Sequence, residues 1–222
     1  MLTGLLELNG VAMAGRRVLL ISGDMTRLLE STTTDDSGAF RFALTEPAQS
    51  TMIVMAKIQG PVLSISYRII DVALHGLGPH RISIDSSSEL FHSVRGHIDS
   101  AEGWPPYLLL HVDPVHLPGI PAQLEKFFRT VDEHVIESWL YQQRIDADSF
   151  ILRVQKGVYR LDAGYFVKSA PQTNIEQYAM TQVTDDGNPV QLTSPPYSSF
   201  LLDVNRDRNV RIIIAPVNTE NN

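Results

Sequence analysis

The chain predicts a mainly-β protein: two β-sandwich domains in tandem, the second carrying one inserted amphipathic helix. Three observations support this. Most segments are short, rich in β-branched residues and broken at roughly ten-residue intervals by Gly, Pro, Asp or Ser. Strict apolar–polar alternation marks Phe40–Arg41–Phe42 and the stretch from Tyr67 to Val72. Finally, the order of elements in the first 85 residues begins again after a polar break.

In chain order, "GRRVLLISG", "AFRFAL", "TMIVMAKI", "SISYRIIDVAL" and "HRISID" read as strands. "DSSSE", residues 85 to 89, reads as a flexible linker and places the domains at 1–86 and 87–222. The second unit runs "FHSVRGHIDSAEGWPPYLLLHVDP", "QQRIDADSFILRV" and "GVYRLDAGYF". In each half an Asp stands four residues before the Phe that opens a strand, Asp36 before Phe40 and Asp146 before Phe150. Each half also opens on a strand, a glycine (Gly10, Gly96) and a polar turn.

One segment breaks the β pattern. Leu124, Phe127, Phe128, Val131, Val135 and Trp139 fall on one helical face, and Pro121 suits the first turn of a helix. The inserted helix is therefore expected around 120–139. Such a stripe is expected to cover its own domain's core, with partner binding as the alternative.

The 222 residues, 43% of them hydrophobic, are enough to bury a core. A net charge of -7 with no Lys/Arg-rich run excludes a protein that binds nucleic acid through its phosphates. With no cysteine there is no disulfide, thiolate metal site or cysteine nucleophile. Met1 to Gly10 lacks a basic, then apolar, leader, and no stretch reaches the ~20 apolar residues of a membrane helix. A cytoplasmic protein without membrane insertion is the default expectation, with export lacking an N-terminal signal left open.

Gly10, Ala14–Gly15, the strand from Val18 to Ile21 and Thr34–Asp35–Asp36–Ser37–Gly38–Ala39–Phe40 resemble the carboxypeptidase regulatory-like domains. These belong with the immunoglobulin-like, transthyretin-like (prealbumin-like) β-sandwiches and with related pilin and adhesin modules. The resemblance covers the first 85 residues. It extends to the second half through Asp146, Phe150 and Gly157–Val158–Tyr159, where Asp148–Ser149 replaces the turn glycine. It implies a rigid spacer, accessory or interaction domain without an active site. In the turn, Asp side chains cap the backbone two residues on and Gly38 takes a positive φ, so a tight hairpin is expected with Phe40 and Phe42 in the core.

Three candidate sites remain. His111 and Asp113 share one strand face, His116 follows a Pro turn, and His92 and His97 are expected on a neighbouring strand; together they are a candidate zinc or iron site. "DVNRDRN" spaces Asp203, Asn205, Asp207 and Asn209 like early calcium ligands. Arg208 and Ile214 stand where that loop needs Gly and an acid, so a polar hairpin is expected instead. "WPPY" and "SPPY" present Trp104, Tyr107 and Tyr197 as anchors for a sugar or a peptide. The leading expectation is a non-catalytic protein-binding or scaffold module that needs no cofactor and partners another protein or a larger assembly. A metal-dependent enzyme using His111, Asp113 and His116, or a carbohydrate-binding module using Trp104 and Tyr107, are the alternatives.

Overall fold

The structure is a computed structural model that describes residues 1–44, 51–58, 62–100, 103–105, 108–130, 141–166, 177–193 and 198–217. Two compact units emerge, Met1–Phe91 with Gly119–Ser138, and His92–Pro118 with Trp139–Asn222.

The first unit contains β1 (Leu2–Leu8), β2 (Val11–Ala12), β3 (Arg17–Ser22), β4 (Leu28–Thr33), β5 (Ala39–Phe42), β6 (Thr51–Ile58), β7 (Ser64–Asp71), a one-turn helix α1 (Val72–His75) and β8 (His80–Ile84). One sheet gathers β2, β5 and β8 around β1; the other runs β4-β3-β6-β7. Alternation aims Leu2, Leu6 and Leu8 of β1, Phe40 and Phe42 of β5, and Ile82 and Ile84 of β8 into one apolar cluster. Val18 and Leu20 of β3, Met52 and Val54 of β6 and Ile70 of β7 meet them there, so the two sheets form a β-sandwich. Phe40 and Phe42 pack as a tilted pair, ring centroids 5.7 Å apart, as the alternation predicts.

The second unit contains β9 (Phe91–Ser100), β10 (Leu108–His116), β11 (Tyr141–Ile145), β12 (Ser149–Gln155), β13 (Gly157–Phe166), β14 (Gln177–Asp185), β15 (Asn188–Val190), β16 (Phe200–Val204) and β17 (Arg208–Val217). They join in the order β11-β10-β13-β14-β17-β9-β12, with β15 on β14 and β16 on β13. Strand β13 pairs with β10 and β16 along most of its length and with β14 only at Tyr165 and Phe166. It is the strand through which the two halves of this sheet join. No helix among the described residues is long and apolar enough to cross a membrane.

Each unit has the same pairing around its first strand. Strand β1 lies antiparallel to β5 and parallel to β8, in register from Gly4↔His80 to Leu8↔Ile84. Strand β9 neighbours β12 and lies parallel to β17, in register from Val94↔Arg208 to Ser100↔Ile214. In the first, Phe40 covers Gly4; in the second, Phe150 covers Gly96. The glycine that matches Gly96 is therefore Gly4, mid-strand under an aromatic ring, and not Gly10, which turns the chain from β1 to β2 at φ 77°.

Both expected hairpins are instead crossings between different pairing partners. In "TTTDDSGAFRF", β4 pairs with β3 while β5 pairs with β1 in the opposite sheet. In "DVNRDRN", β16 pairs with β13 while β17 pairs with β14 and β9. The turn chemistry itself is as expected, with Asp35 supplying the cap. Its Oδ1 accepts from Ser37 N (2.9 Å), Ser37 Oγ (2.7 Å) and Ala39 N (3.0 Å). Gly38 stands at φ 76°, where a Cβ would come within 2.8 Å of Leu6 O. A capped reversal fixes where the chain turns, not which strand it then joins. The echo at "RIDADSF" keeps the phenylalanine but not this cap, since Ile145 stands five residues before Phe150, where Asp35 stands before Phe40, and Asp146 pairs with Arg144 Nε at 2.6 Å.

The polar stretch at 85–89 forms a hydrogen-bonded turn. Asp85 Oδ1 accepts from Ser87 N and Oγ (2.9 and 2.6 Å), and Asn9 is tied to Ser86 through both side chains and the Ser86 amide.

Hydrogen bonds from Ser37 and Ala39 hold the Asp35 carboxyl below the usual carboxylate range. A depressed folded pKa contributes stability that is present above the unfolded value of about 3.9 and lost as pH falls through the folded value. Asp35→Asn is therefore expected to lower Tm at pH 7, with the gap to wild type closing as acid protonates Asp35. Thermal melts at stepped pH check this; a constant gap would contradict it.

Candidate functional site

Two places gather polar side chains worth testing for function, the β10 face that the sequence singled out and the outer face of β9, β17 and β14, which it did not.

On β10, His111 and Asp113 do share a face, both half-buried, while their neighbours Leu110 and Val112 point inward. The register places His111 opposite Asp162 of β13, and His111 Nδ1 lies 2.6 Å from Asp162 Oδ1. Asp113 stands opposite Arg160. The register shifts between Pro114 and His116, so His116 leaves the alternation that His111 and Asp113 follow. His92 and His97 lie on β9, which β13, β14 and β17 separate from β10. His92 is 3.9 Å from Asp207, and His97 is 3.2 Å from Asp99. Among the described residues no three His, Asp or Glu side chains gather as a metal would need. Asp162, the acid that His111 meets, is 51 residues away, and no local spacing signals it.

Trp104 is 37% exposed beside Gly103, whose carbonyl accepts a short hydrogen bond from Ser100 Oγ. Tyr107 and Tyr197 lie outside the described residues, as do Val131, Val135 and Trp139 of the helical stripe. The described helix, α2 (Ala122–Thr130), starts one residue after Pro121, whose carbonyl accepts from Leu124 N and Glu125 N. Leu124 and Phe127 are buried, Gln123 and Lys126 exposed, as the stripe requires. The segment nevertheless groups with the first unit, where Tyr67 Oη donates to Gly119 O at 2.8 Å. An apolar stripe shows that a helix has a core to cover, but not which one.

The outer face of the second unit is a three-strand array. Register sets Asn209 beside Arg95, Arg211 beside His97, and Ile213 beside Asp99; from β14, Thr184 faces Arg211 and Gln182 faces Ile213. Their inward neighbours Val94, Ile98, Ile212 and Ile214 are buried, so alternation turns this polar row outward. Between them lies a groove of about 620 Å³, lined among the described residues by two arginines, a histidine and uncharged residues. At its rim, Arg211 Nε donates to Asp99 Oδ2 at 2.6 Å; this bond holds the Asp99 carboxyl low and pushes the Arg211 guanidinium up. Arg95 Nη1 lies 3.7 Å from Asp207 Oδ2, whose carboxyl is held low first by the Ser93 amide.

No family model and no curated protein matches this chain. Among solved structures, the shaft pilin SpaA of Lactobacillus rhamnosus GG is 9% identical over 97% of this chain and 98% of its own, with a TM-score of 0.29. The minor pilin GBS52 of Streptococcus agalactiae is 10% identical over 100% and 99%, at 0.32. The Bacillus anthracis TIE protein is 9% identical over 97% of this chain and 34% of its own, at 0.28. Superposition at that level defines neither topology nor function.

Proposed function

We propose that this chain is a non-catalytic structural module, two β-sandwich domains in tandem that act as a spacer within a larger protein assembly. The parallel pairing of the first and last strands of each unit carries the reading. When β1 and β8 run parallel, the chain enters β1 at one end of the ladder and leaves β8 at the other. The same holds for β9 and β17. Tension along the chain then loads all the rungs of that ladder at once, in shear. Pulling two parallel strands apart from the same end opens one rung at a time. The resemblance of the first 85 residues to carboxypeptidase regulatory-like and transthyretin-like domains belongs to this reading, and the Asp35-capped turn supports it.

The absence of native cysteine lets handles be installed one pair at a time. Single-molecule pulling through Met1→Cys and Glu89→Cys is expected to need severalfold more force to unfold the first unit than pulling through Val11→Cys and Glu89→Cys. The first pair loads β1 and β8 from opposite ends and the second from the same end. Forced unfolding reads the unfolding barrier directly. Equal rupture forces in the two geometries would refute the spacer reading.

A further inference from the structure

The groove on the outer face of β9, β17 and β14 gathers two arginines and a histidine whose acids, Asp99 and Asp207, stand at its rim. The chain carries -7 overall, yet among the described residues the groove lining holds Arg95, His97 and Arg211 and no carboxylate. Both arginines are more than half exposed. Arg211 uses its Nε on Asp99, and its two terminal nitrogens have no partner among the described residues. Among the described residues, Arg95 has the 3.7 Å approach of Asp207 and no other ion pair. The rim acids are already occupied, Asp99 by Arg211 and His97 and Asp207 by the Ser93 amide.

We infer that this groove binds an extended acidic segment of a partner protein, with carboxylates at alternate residues. The register supplies the spacing. Arg95 and His97 are two residues apart on β9, so the Arg95–Asn209 and His97–Arg211 rows stand about 7 Å apart, the repeat of alternate side chains in an extended peptide. A volume of about 620 Å³ holds several residues, where a lone phosphate would occupy one row. Thr184, Asn209 and Gln182 supply neutral donors and acceptors for the peptide backbone between the charges. The inference goes beyond the spacer reading and does not depend on it, since peptide binding and mechanical resistance are measured separately.

The test is fluorescence anisotropy with the full chain and a labelled synthetic peptide of alternating glutamate and threonine. Saturable binding is expected, lost in the matching glutamine–threonine peptide and lost at about 0.5 M salt, where the screening length shrinks to a few ångströms. Arg95→Gln is expected to weaken binding about fivefold, the size of one exposed ion pair, at unchanged Tm. Arg211→Gln, which also frees Asp99, serves as a second variant with its own melt. No binding at millimolar peptide, equal binding of the two peptides, or an unaffected Arg95→Gln would overturn the proposal. Displacement of the peptide by equimolar inorganic phosphate would overturn it in favour of a simple anion site.

Discussion

Gly96→Ala is expected to destabilise the second unit by about 3 kcal/mol or more, at the upper end of what overpacking costs. A Cβ at residue 96 would lie 2.0 Å from carbons of the Phe150 ring, which is itself buried at 5% exposure. A buried ring in a close-packed core can move aside only by displacing its neighbours. Because a side chain makes the clash, shrinking that side chain should relieve it. Gly96→Ala with Phe150→Leu is expected to be more stable than the sum of the single changes by about 2 kcal/mol, a coupling typical of residues in direct contact. At Gly4 the same experiment should give the opposite result. There a Cβ meets Phe40 Cζ at 2.1 Å but also the backbone carbonyl of His80 at 2.4 Å, and that carbonyl lies on the strand parallel to β1. Phe40→Leu is therefore expected to rescue Gly4→Ala little or not at all. Urea unfolding followed by circular dichroism reads all six proteins; simple additivity at Gly96 and Phe150 would refute the packing argument.

Arg208→Ala is expected to cost about 2–3 kcal/mol, below the 3–5 of a fully buried pair because the site is partly open. The Arg208 and Asp185 side chains are 12% and 18% exposed, with Nη1 at 3.2 Å from Asp185 Oδ2 and 3.6 Å from Asp186 Oδ2. Nε and Nη2 also donate to Asp203 O at 2.8 and 2.5 Å and so brace the crossing from β16 to β17. Asp185 Oδ1 is buried with no hydrogen-bond partner among the described residues, and burial pushes the Asp185 carboxyl above its usual range despite Arg208. The sign follows from linkage: a carboxyl raised in the folded state binds its proton more tightly there than in the unfolded chain, so acid favours folding at this group. Without Arg208 that effect grows. The loss in Arg208→Ala should therefore be widest at neutral pH and shrink as pH falls through the raised Asp185 value toward about 3.9. Denaturant titrations of both proteins from pH 7 down to 4 measure it; a pH-independent gap would show that Arg208 acts through Asp203 alone.

Of the candidate site, the sequence exposed only part. Alternation correctly put His111 and Asp113 on one face of β10, because side-chain direction on a strand is a local property. It left their partner hidden, since the neighbour of His111 is set by the register of β10 against β13. The groove was invisible for the same reason. Arg95 and His97 are two residues apart on one strand, but Arg211, Asn209, Thr184 and Gln182 reach them only through two cross-strand registers.

Composition, alternation and turn chemistry by themselves determined the mainly-β architecture, the buried Phe40–Phe42 pair, the Asp-capped reversal before it and the apolar stripe of α2. Each of these depends on residues a few positions apart, where backbone geometry alone relates one side chain to the next. Only the tertiary structure decided that the reversals after β4 and β16 cross to different partners rather than closing hairpins. It alone matched Gly4 with Gly96, grouped α2 with the first unit and set the first strand of each unit parallel to its last. Strand pairing is selected by the burial of whole faces across tens of residues, and no local pattern encodes which distant strand completes it.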